Sequence, residues 1–386
     1  MLVWNLALLL LATIGFTAWV VAIVNRVHSL PLPGHVLDRI KLVHDLLILG
    51  FPLLLLVAVA LPEHGLLRGG TWFDLSLPWK ILFGFCSLGL LGTLGHILFH
   101  RYRRTPPAQL SIRTERFNVE QALGFRPAKR GAHSSLLHVP GNEVFQLEIT
   151  HREFQLSGLP PACDGLRILH ISDWHLSGVI DRPYYHFVTA KCREIPADLL
   201  VFTGDLLDDQ SLVDWLPETL GTLSAPLGRY FILGNHDWYL RPEETRVAMR
   251  NLGWEDLAGR TRLIEHLGHR FLLGGTEFPW MGTLPEMRSE PADCKILLSH
   301  TPDNYPWARG QNVDLILAGH NHGGQIRIPG LGPVYSPSRF GCRYASGVFQ
   351  DQGSLLFVSR GLGGVHPLRL NCLPEITCLT LRAKTP

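Results

Sequence analysis

Apolar residues cluster in two different ways along this chain, and the two ways divide it into regions. In the first hundred positions they form long, nearly unbroken runs at residues 3–24, 42–61 and 81–99. Each is close to the roughly 20 residues that an α-helix needs to cross a bilayer core, so three membrane-crossing helices are predicted. Trp4, Trp19, Trp72, Trp79 and Tyr102 stand near the ends of these runs, where amphipathic rings favour the headgroup layer. From position 142 the pattern changes to runs of four to six residues rich in Ile, Leu and Val, separated by helical segments. Short runs of that kind suit strands buried on both faces, and their alternation with helices predicts an α/β domain. Residues 101–141 are rich in Arg, Pro, Gly and Ser and hold no sustained period. The expected organisation is a membrane anchor at 1–100, a juxtamembrane linker at 101–141 and an α/β domain at 142–386.

Charge sharpens this division. Only 18% of the 386 residues are charged, against about 25% in an ordinary soluble protein, and just nine of the 68 charged side chains fall in the first hundred positions. The net charge of +2 supports no basic nucleic-acid-binding face, and 46% apolar residues exclude a disordered chain. No Lys or Arg precedes the first run, so it is expected to be a retained anchor and not a cleaved signal peptide. Arg26, Arg39 and Lys41 follow the first run, Arg68 and Lys80 lie between the second and third, and Arg101, Arg103 and Arg104 follow the third. The positive-inside rule then puts the C-terminal domain in the cytoplasm. His44, Asp45 and His96 lie close to span boundaries, where interfacial placement accounts for them without a haem or proton site. Seven scattered cysteines without a CxxC pair are expected to be free, buried thiols.

The candidate chemistry sits at the ends of the short runs. Residues 166–171 lead into Ser172-Asp173-Trp174-His175, and 199–202 into Thr203-Gly204-Asp205. Residues 230–233 lead into Gly234-Asn235-His236-Asp237, 295–298 into Ser299-His300, and 315–318 into Gly319-His320-Asn321-His322. Helices are expected at 181–194, 213–223 and 242–252. Open α/β sheets bind ligands beyond the carboxyl ends of their strands, so five strand ends deliver polar groups to one edge. Asp173, His175, Asp205, Asn235, His300, His320 and His322 offer oxygen and nitrogen but no sulfur, which favours Mn, Fe, Zn or Mg. Seven donors exceed the needs of one ion with an open position. They fit two divalent ions if one carboxylate is shared, and such a pair activates a water and clamps the oxygens of a phosphoryl displacement.

The ordered series D-x-H, G-D, G-N-H-D, H and G-H-x-H resembles the calcineurin-like metallophosphoesterase superfamily. Residues 319–329 (GHNHGGQIRIP), Arg360-Gly361-Leu362-Gly363 and Arg369-Leu370 resemble its bacterial membrane-anchored branch. The resemblance implies an α/β sandwich of two packed β-sheets flanked by helices, here preceded by the three-helix anchor. It implies that Asp173, His175 and His322 hold one ion, that Asn235, His300 and His320 hold the other, and that Asp205 bridges, with manganese favoured. His236 is similar to the general acid that protonates the departing oxygen, and Asp237 would orient it. The implied reaction is hydrolysis of a phosphodiester or pyrophosphate bond. Anchoring points to a lipid-linked phosphate ester such as UDP-2,3-diacylglucosamine, with no obligate protein partner. A catalytically silent membrane receptor or scaffold is the alternative, and the complete ligand set argues against it.

Two segments depart from the branch, both away from the ligands: 274–280 (GGTEFPW) stands where a Gly-x-x-Asp segment is usual, and His366-Pro367-Leu368 replaces a Pro-Ile pair. Asp208 and Asp209 read as an exposed acidic pair, with support of a metal ligand as the alternative role for Asp208. Arg360 reads equally as a contact for substrate phosphate and as a surface ion pair. Phe278, Trp280, Met281, Leu284 and Met287 read as core, with a lid or acyl-chain contact as the sharper option.

Overall fold

Three long helices take up the apolar N-terminal runs in the computed structural model, which describes residues 1–288 and 290–384. They are α1 (Leu2–Val27), α2 (Gly34–Leu55) and α3 (Leu77–Tyr102). Together with Gly330–Arg343 they form one compact unit. Pro52 lies inside α2 and supplies no backbone donor. The helix continues beyond it through a wider, π-type turn at Leu56–Ala60, and all three helices are long and apolar enough to cross a membrane. α1 and α3 touch through small residues: a Cβ on Gly15 would lie 2.0 Å from the Cys86 carbonyl oxygen, and one on Gly89 2.1 Å from that of Gly15. Close backbone approach of this kind is how apolar helices gain packing where lipid removes the hydrophobic drive. The polar side chains of α1 are satisfied inside the unit. Asn5 donates to the Leu66 and Gly70 carbonyls at 2.7 and 2.9 Å, and Asn25 donates to the Val334 carbonyl and accepts from the Ser336 amide.

The second unit comprises Arg104–Pro329 and the chain from Tyr344 onward. It opens with β1 (Gln109–Asn118), α4 (Val119–Leu123), β2 (Gln146–Leu156), β3 (Arg167–Ile171) and α5 (Arg182–Arg193). β4 (Leu199–Thr203), β5 (Arg229–Ile232), α6 (Asn235–Tyr239), α7 (Pro242–Asn251), β6 (Glu255–Asp256), β7 (Thr261–His266) and β8 (His269–Thr276) follow. Then come β9 (Cys294–Ser299), α8 (Tyr305–Gly310), β10 (Leu315–Ala318) and the two-residue strand β11 (Arg327–Ile328). After β12 (Gly332–Pro333), which lies in the segment assigned to the first unit, β13 (Gly347–Asp351), β14 (Ser354–Val358) and β15 (Glu375–Ala383) complete the chain.

One sheet has the order β1-β2-β15-β3-β4-β5-β6 and the other β13-β14-β10-β9-β8-β7. Within the first, β3, β4, β5 and β6 are parallel; within the second, β8, β9, β10 and β14 are parallel. Successive side chains on a strand point to opposite faces, and both faces are apolar here. Ile168, Val201 and Ile232 from the first sheet meet Leu273, Ile296, Leu298 and Leu317 from the second in one core. On the outer face Leu169, Ile171, Leu200 and Phe202 pack with Tyr184, Tyr185 and Val188 of α5. The protein is therefore an α/β sandwich with helices on its outside, preceded by three apolar helices.

Two expectations change. Residues 101–141 are not a bare linker: β1 pairs antiparallel with β2 from Gln109↔Phe154 to Asn118↔Gln146. It is an almost wholly exposed edge strand, so it lacks the apolar run that marked the central strands. The helix expected at 213–223 is two short 3₁₀ turns, Gln210–Trp215 and Leu220–Thr222. Pro217 lies between them and breaks the donor series a helix would need. Residues 385 and 386, the end of the expected domain, lie outside the described residues.

The β1–β2 pairing makes a prediction. A chain starting at Arg104 should fold, whereas one starting at Asn142 leaves the edge of β2 unpaired. The shorter chain should melt earlier and aggregate more in thermal scans with light scattering. Equal melting temperature and solubility would show that β1 contributes nothing to the domain.

Candidate metal centre

The five chemistry-bearing loops leave parallel strands of both sheets: β3, β4 and β5 in one, β9 and β10 in the other. Their side chains converge. Potential ligand atoms of Asp173, His175, Asp205 and His322 lie within 4.8 Å of one another, as do those of Asp205, His300 and His320. Asp205 belongs to both groups. Asn235 joins the second through its Oδ1, 3.1 Å from His300 Nε2. All seven are buried except His322, which is partly exposed.

Backbone geometry shows how tightly these loops are held. Asp173, His175, Asp205, His320 and His322 all adopt left-handed conformations, with φ between 48° and 67°. Side chains other than glycine rarely sit there unless the surroundings hold them. The Asp173 amide donates to the Gly204 carbonyl (2.9 Å), the His175 amide to the Asp205 carbonyl (3.0 Å) and the His320 amide to Asp173 Oδ1 (2.9 Å). Each loop is thus tied to another loop of the set. Gly319 is needed for close approach, because a Cβ there would lie 2.0 Å from Ser172 Oγ and 2.4 Å from Asp173 Oδ2.

The hydrogen-bond pattern indicates what the cluster holds. His300 Nδ1 faces the Thr203 carbonyl at 2.7 Å, His322 Nδ1 the Gly363 carbonyl at 3.1 Å, and His175 Nδ1 the Asp208 carboxylate at 3.0 Å. Those partners accept, so each of these rings carries its proton on Nδ1 and turns a lone pair inward at Nε2. His175 Nε2 then stands 3.1 Å from His322 Nε2 and 3.4 Å from Asp205 Oδ2, acceptors facing acceptors. His300 Nε2 lies 3.3 Å from the same Asp205 oxygen, and the buried Asp173 Oδ2 has no hydrogen-bond partner among the described residues. Buried acceptors are costly without a positive partner, and oxygen and imidazole donors in this arrangement fit divalent cations. Where the rings carry a second proton in place of a cation, the His300, His236 and His175 charges hold the Asp205 carboxyl well below the usual range despite its burial.

His236, at the start of α6, keeps 29% of its side chain open to solvent and places Nδ1 2.9 Å from Asp208 Oδ1. Burial works against a charged ring, but the Asp205 and Asp208 carboxylates outweigh it and push His236 up to about 10. The expected orienting partner, Asp237, does something else. Its carboxylate accepts from the backbone amides of Gly234, Leu206 and Leu207, which ties α6 to the loop carrying Asp205. The side chain on His236 is Asp208, which bonds His175 at the same time. Asp208 is mostly buried, not an exposed acidic residue. Its place three residues after Asp205 on the same loop was the available signal.

Other weaker readings resolve as well. Arg360 is a mostly buried ion pair, bound by Glu148 (2.6 Å) and Glu375 (3.0 Å) and only 15% exposed. The 274–280 segment, expected away from the ligands, instead reaches them: Trp280 packs its ring 4.8 Å from that of His320 and 5.6 Å from that of His300 and so walls the centre, while Met287 is core and Phe278 is exposed. In the 274–280 segment Glu277 accepts from the Leu233 amide and pairs with Arg246, which braces the strand end before Asn235. All seven cysteines are buried and none is in a disulfide.

Asp208→Asn should keep a hydrogen-bonding group but remove the charge shared by the two imidazoles. Loss of such a supporting carboxylate typically costs roughly 10–100-fold in activity or metal affinity. With less negative charge beside it, His236 should lose its proton at lower pH, so the alkaline limb of the rate profile moves down. An unchanged limb would mean that Asp208 does not hold the proton on His236.

The profile of the calcineurin-like phosphoesterase family matches residues 166–324, the stretch that carries all five loops. The uncharacterized metallophosphoesterase YkuE of Bacillus subtilis is 33% identical over 257 residues, covering 62% of this chain and 87% of that protein. The phosphodiesterase YaeI of Escherichia coli is 31% identical over 221 residues, covering 56% and 82%. The UDP-2,3-diacylglucosamine pyrophosphatase LpxG of Chlamydia trachomatis is 25% identical over 307 residues, covering 60% and 88%.

Proposed function

The chain belongs to the calcineurin-like phosphoesterase family, and from that premise we propose that it is a membrane-anchored hydrolase of a phosphodiester or pyrophosphate bond, dependent on two divalent ions. The observation that carries the reading is the inward-facing set of acceptors around Asp205, with Asp173 Oδ2 buried and unpartnered. Asp173, His175 and His322 would hold one ion, Asn235, His300 and His320 the other, and Asp205 both. When bound, the ions supply an activated water and positive charge against the phosphoryl oxygens.

This chain's own residues supply the remainder. Thr203, Gly363 and Asp208 fix the three imidazoles through their outer nitrogens, so the inner lone pairs need no reorganisation. His236 holds a proton at neutral pH, with Nδ1 occupied by Asp208 and the second nitrogen left for the departing oxygen. Asp237 positions α6 through backbone amides. Trp280 shields one side of the centre from water.

The three apolar helices support a membrane-associated enzyme, and the basic residues flanking them favour a catalytic domain in the cytoplasm. A substrate in the membrane suits such an anchor, and UDP-2,3-diacylglucosamine is the specific candidate. The test is turnover of the purified, metal-reconstituted protein on a bis-aryl phosphodiester, a phospholipid diester and UDP-2,3-diacylglucosamine, with Mn, Fe, Zn and Mg in turn. Two bound ions per chain without turnover of any ester would favour the silent scaffold.

A further inference from the structure

A cavity of about 650 Å³ lies within the anchor unit, walled by α1, α3 and residues 331–343. It lies in the range of about 300–1,000 Å³ typical of small-molecule sites. Ala18 and Ala22 from α1 and Gly92 and Thr93 from α3 leave room between larger lining side chains such as Ile14, Leu88 and Phe99. Only 17% of the most apolar stretch of each of these helices is buried, so in a bilayer the unit is surrounded by acyl chains. The cavity is half open and mostly apolar in its lining, so in a bilayer acyl chains are what its surroundings offer.

One end of the cavity has a different character. Asn25, Arg26 and Arg343 line it, and among the described residues no acidic side chain does. Asn25 is occupied by the backbone of the 330–343 segment. Arg26 donates to the Ala22 carbonyl and stays exposed, and the Arg343 guanidinium lies 5.6 Å from the centre of the Phe99 ring. An apolar trough ending at two guanidinium groups has the layout of a phospholipid, a chain followed by a phosphate whose oxygens match the guanidinium fork.

We propose that this cavity binds one anionic glycerophospholipid, with an acyl chain between α1 and α3 and the phosphate against Arg26 and Arg343. The inference goes beyond the hydrolase reading, since the site takes lipid whether or not that lipid is turned over. Gly92 offers a direct test, because it lines the cavity and a Cβ there meets none of the described residues within 4 Å, so a side chain can start into the cavity without a backbone clash. Gly84, on the same helix and equally open, does not line it and serves as control.

The experiment uses the full chain in phosphatidylcholine vesicles doped with a phosphatidylglycerol probe carrying a diazirine on one acyl chain, with labelled peptides mapped by mass spectrometry. Labelling should fall on residues 14–26, 88–99 and 331–343. Gly92→Phe should reduce it by roughly tenfold or more, since a filled site excludes the chain sterically, while Gly84→Phe should leave it unchanged. Ala22→Phe fills the cavity from the opposite wall and should reproduce the loss should Gly92→Phe fail to fold. In the doubly substituted Arg26→Ala, Arg343→Ala protein, labelling by the phosphatidylglycerol probe should drop to that by a phosphatidylcholine probe. Labelling undiminished by either cavity-filling change, or anionic preference that survives loss of both arginines, would overturn the proposal.

Discussion

Replacing Asp205 by asparagine should strip both ions from the protein and abolish turnover. Asp205 Oδ2 lies 3.4 Å from the Nε2 of His175 and 3.3 Å from that of His300, so it is the group common to the two ligand clusters. Asparagine keeps the size, and its side-chain oxygen can still accept from the His236 amide as Asp205 does. It removes the negative charge that offsets repulsion between two neighbouring cations. Both sites should weaken together, with turnover falling by roughly 10²–10³-fold or more, starting from the scale seen when one electrostatic contact is lost from a preorganised site. Elemental analysis of the purified variant is the decisive measurement, with circular dichroism confirming the fold. Retention of two ions per chain would sink the bridging role.

Substituting His236 should separate chemistry from metal binding. His236→Ala removes no proposed ligand, so metal content should stay at the parent level. Turnover should fall roughly 10²–10⁴-fold, the usual contribution of a positioned acid. The loss should be smaller for a diester with an aryl leaving group, which departs without a proton. The sign of the pH dependence follows from the neighbouring carboxylates. They raise the affinity of His236 for its proton, so the acid form is fully present below the ordinary imidazole pKa and activity is lost as pH rises through the raised one. Cations on Asp205 offset its share of the shift, and the Asp208 carboxylate keeps the rest. In His236→Ala that alkaline limb should disappear. Equal losses on activated and unactivated substrates would rule out proton delivery by this ring.

The sequence alone determined the parts of this protein that are local. A long apolar run is a span wherever it occurs, and Ile-, Leu- and Val-rich runs ending in Asp173, Asp205, Asn235, His300 and His320 declare buried strands with polar ends because the alternation is written in consecutive residues. All five runs became strands, and the seven proposed ligands could be named before any geometry was known. Tertiary structure alone decided what depends on pairing. That β3, β4 and β5 belong to one sheet while β9 and β10 belong to another is set by hydrogen bonds between distant segments. The strand β1 escaped notice because an exposed edge needs no apolar run, and only its register with β2 reveals it. Asp208 and Asp237 look interchangeable in sequence, both carboxylates near His236 or Asp205. The left-handed backbone at Asp205 and the turn into α6 send one to two imidazoles and the other to three amides. Arg360 likewise reads equally as a phosphate contact and as a surface ion pair until Glu148 and Glu375, 212 and 15 residues away, fold around it. Each such outcome depends on a side chain meeting a partner remote in the chain, and no local pattern encodes that meeting.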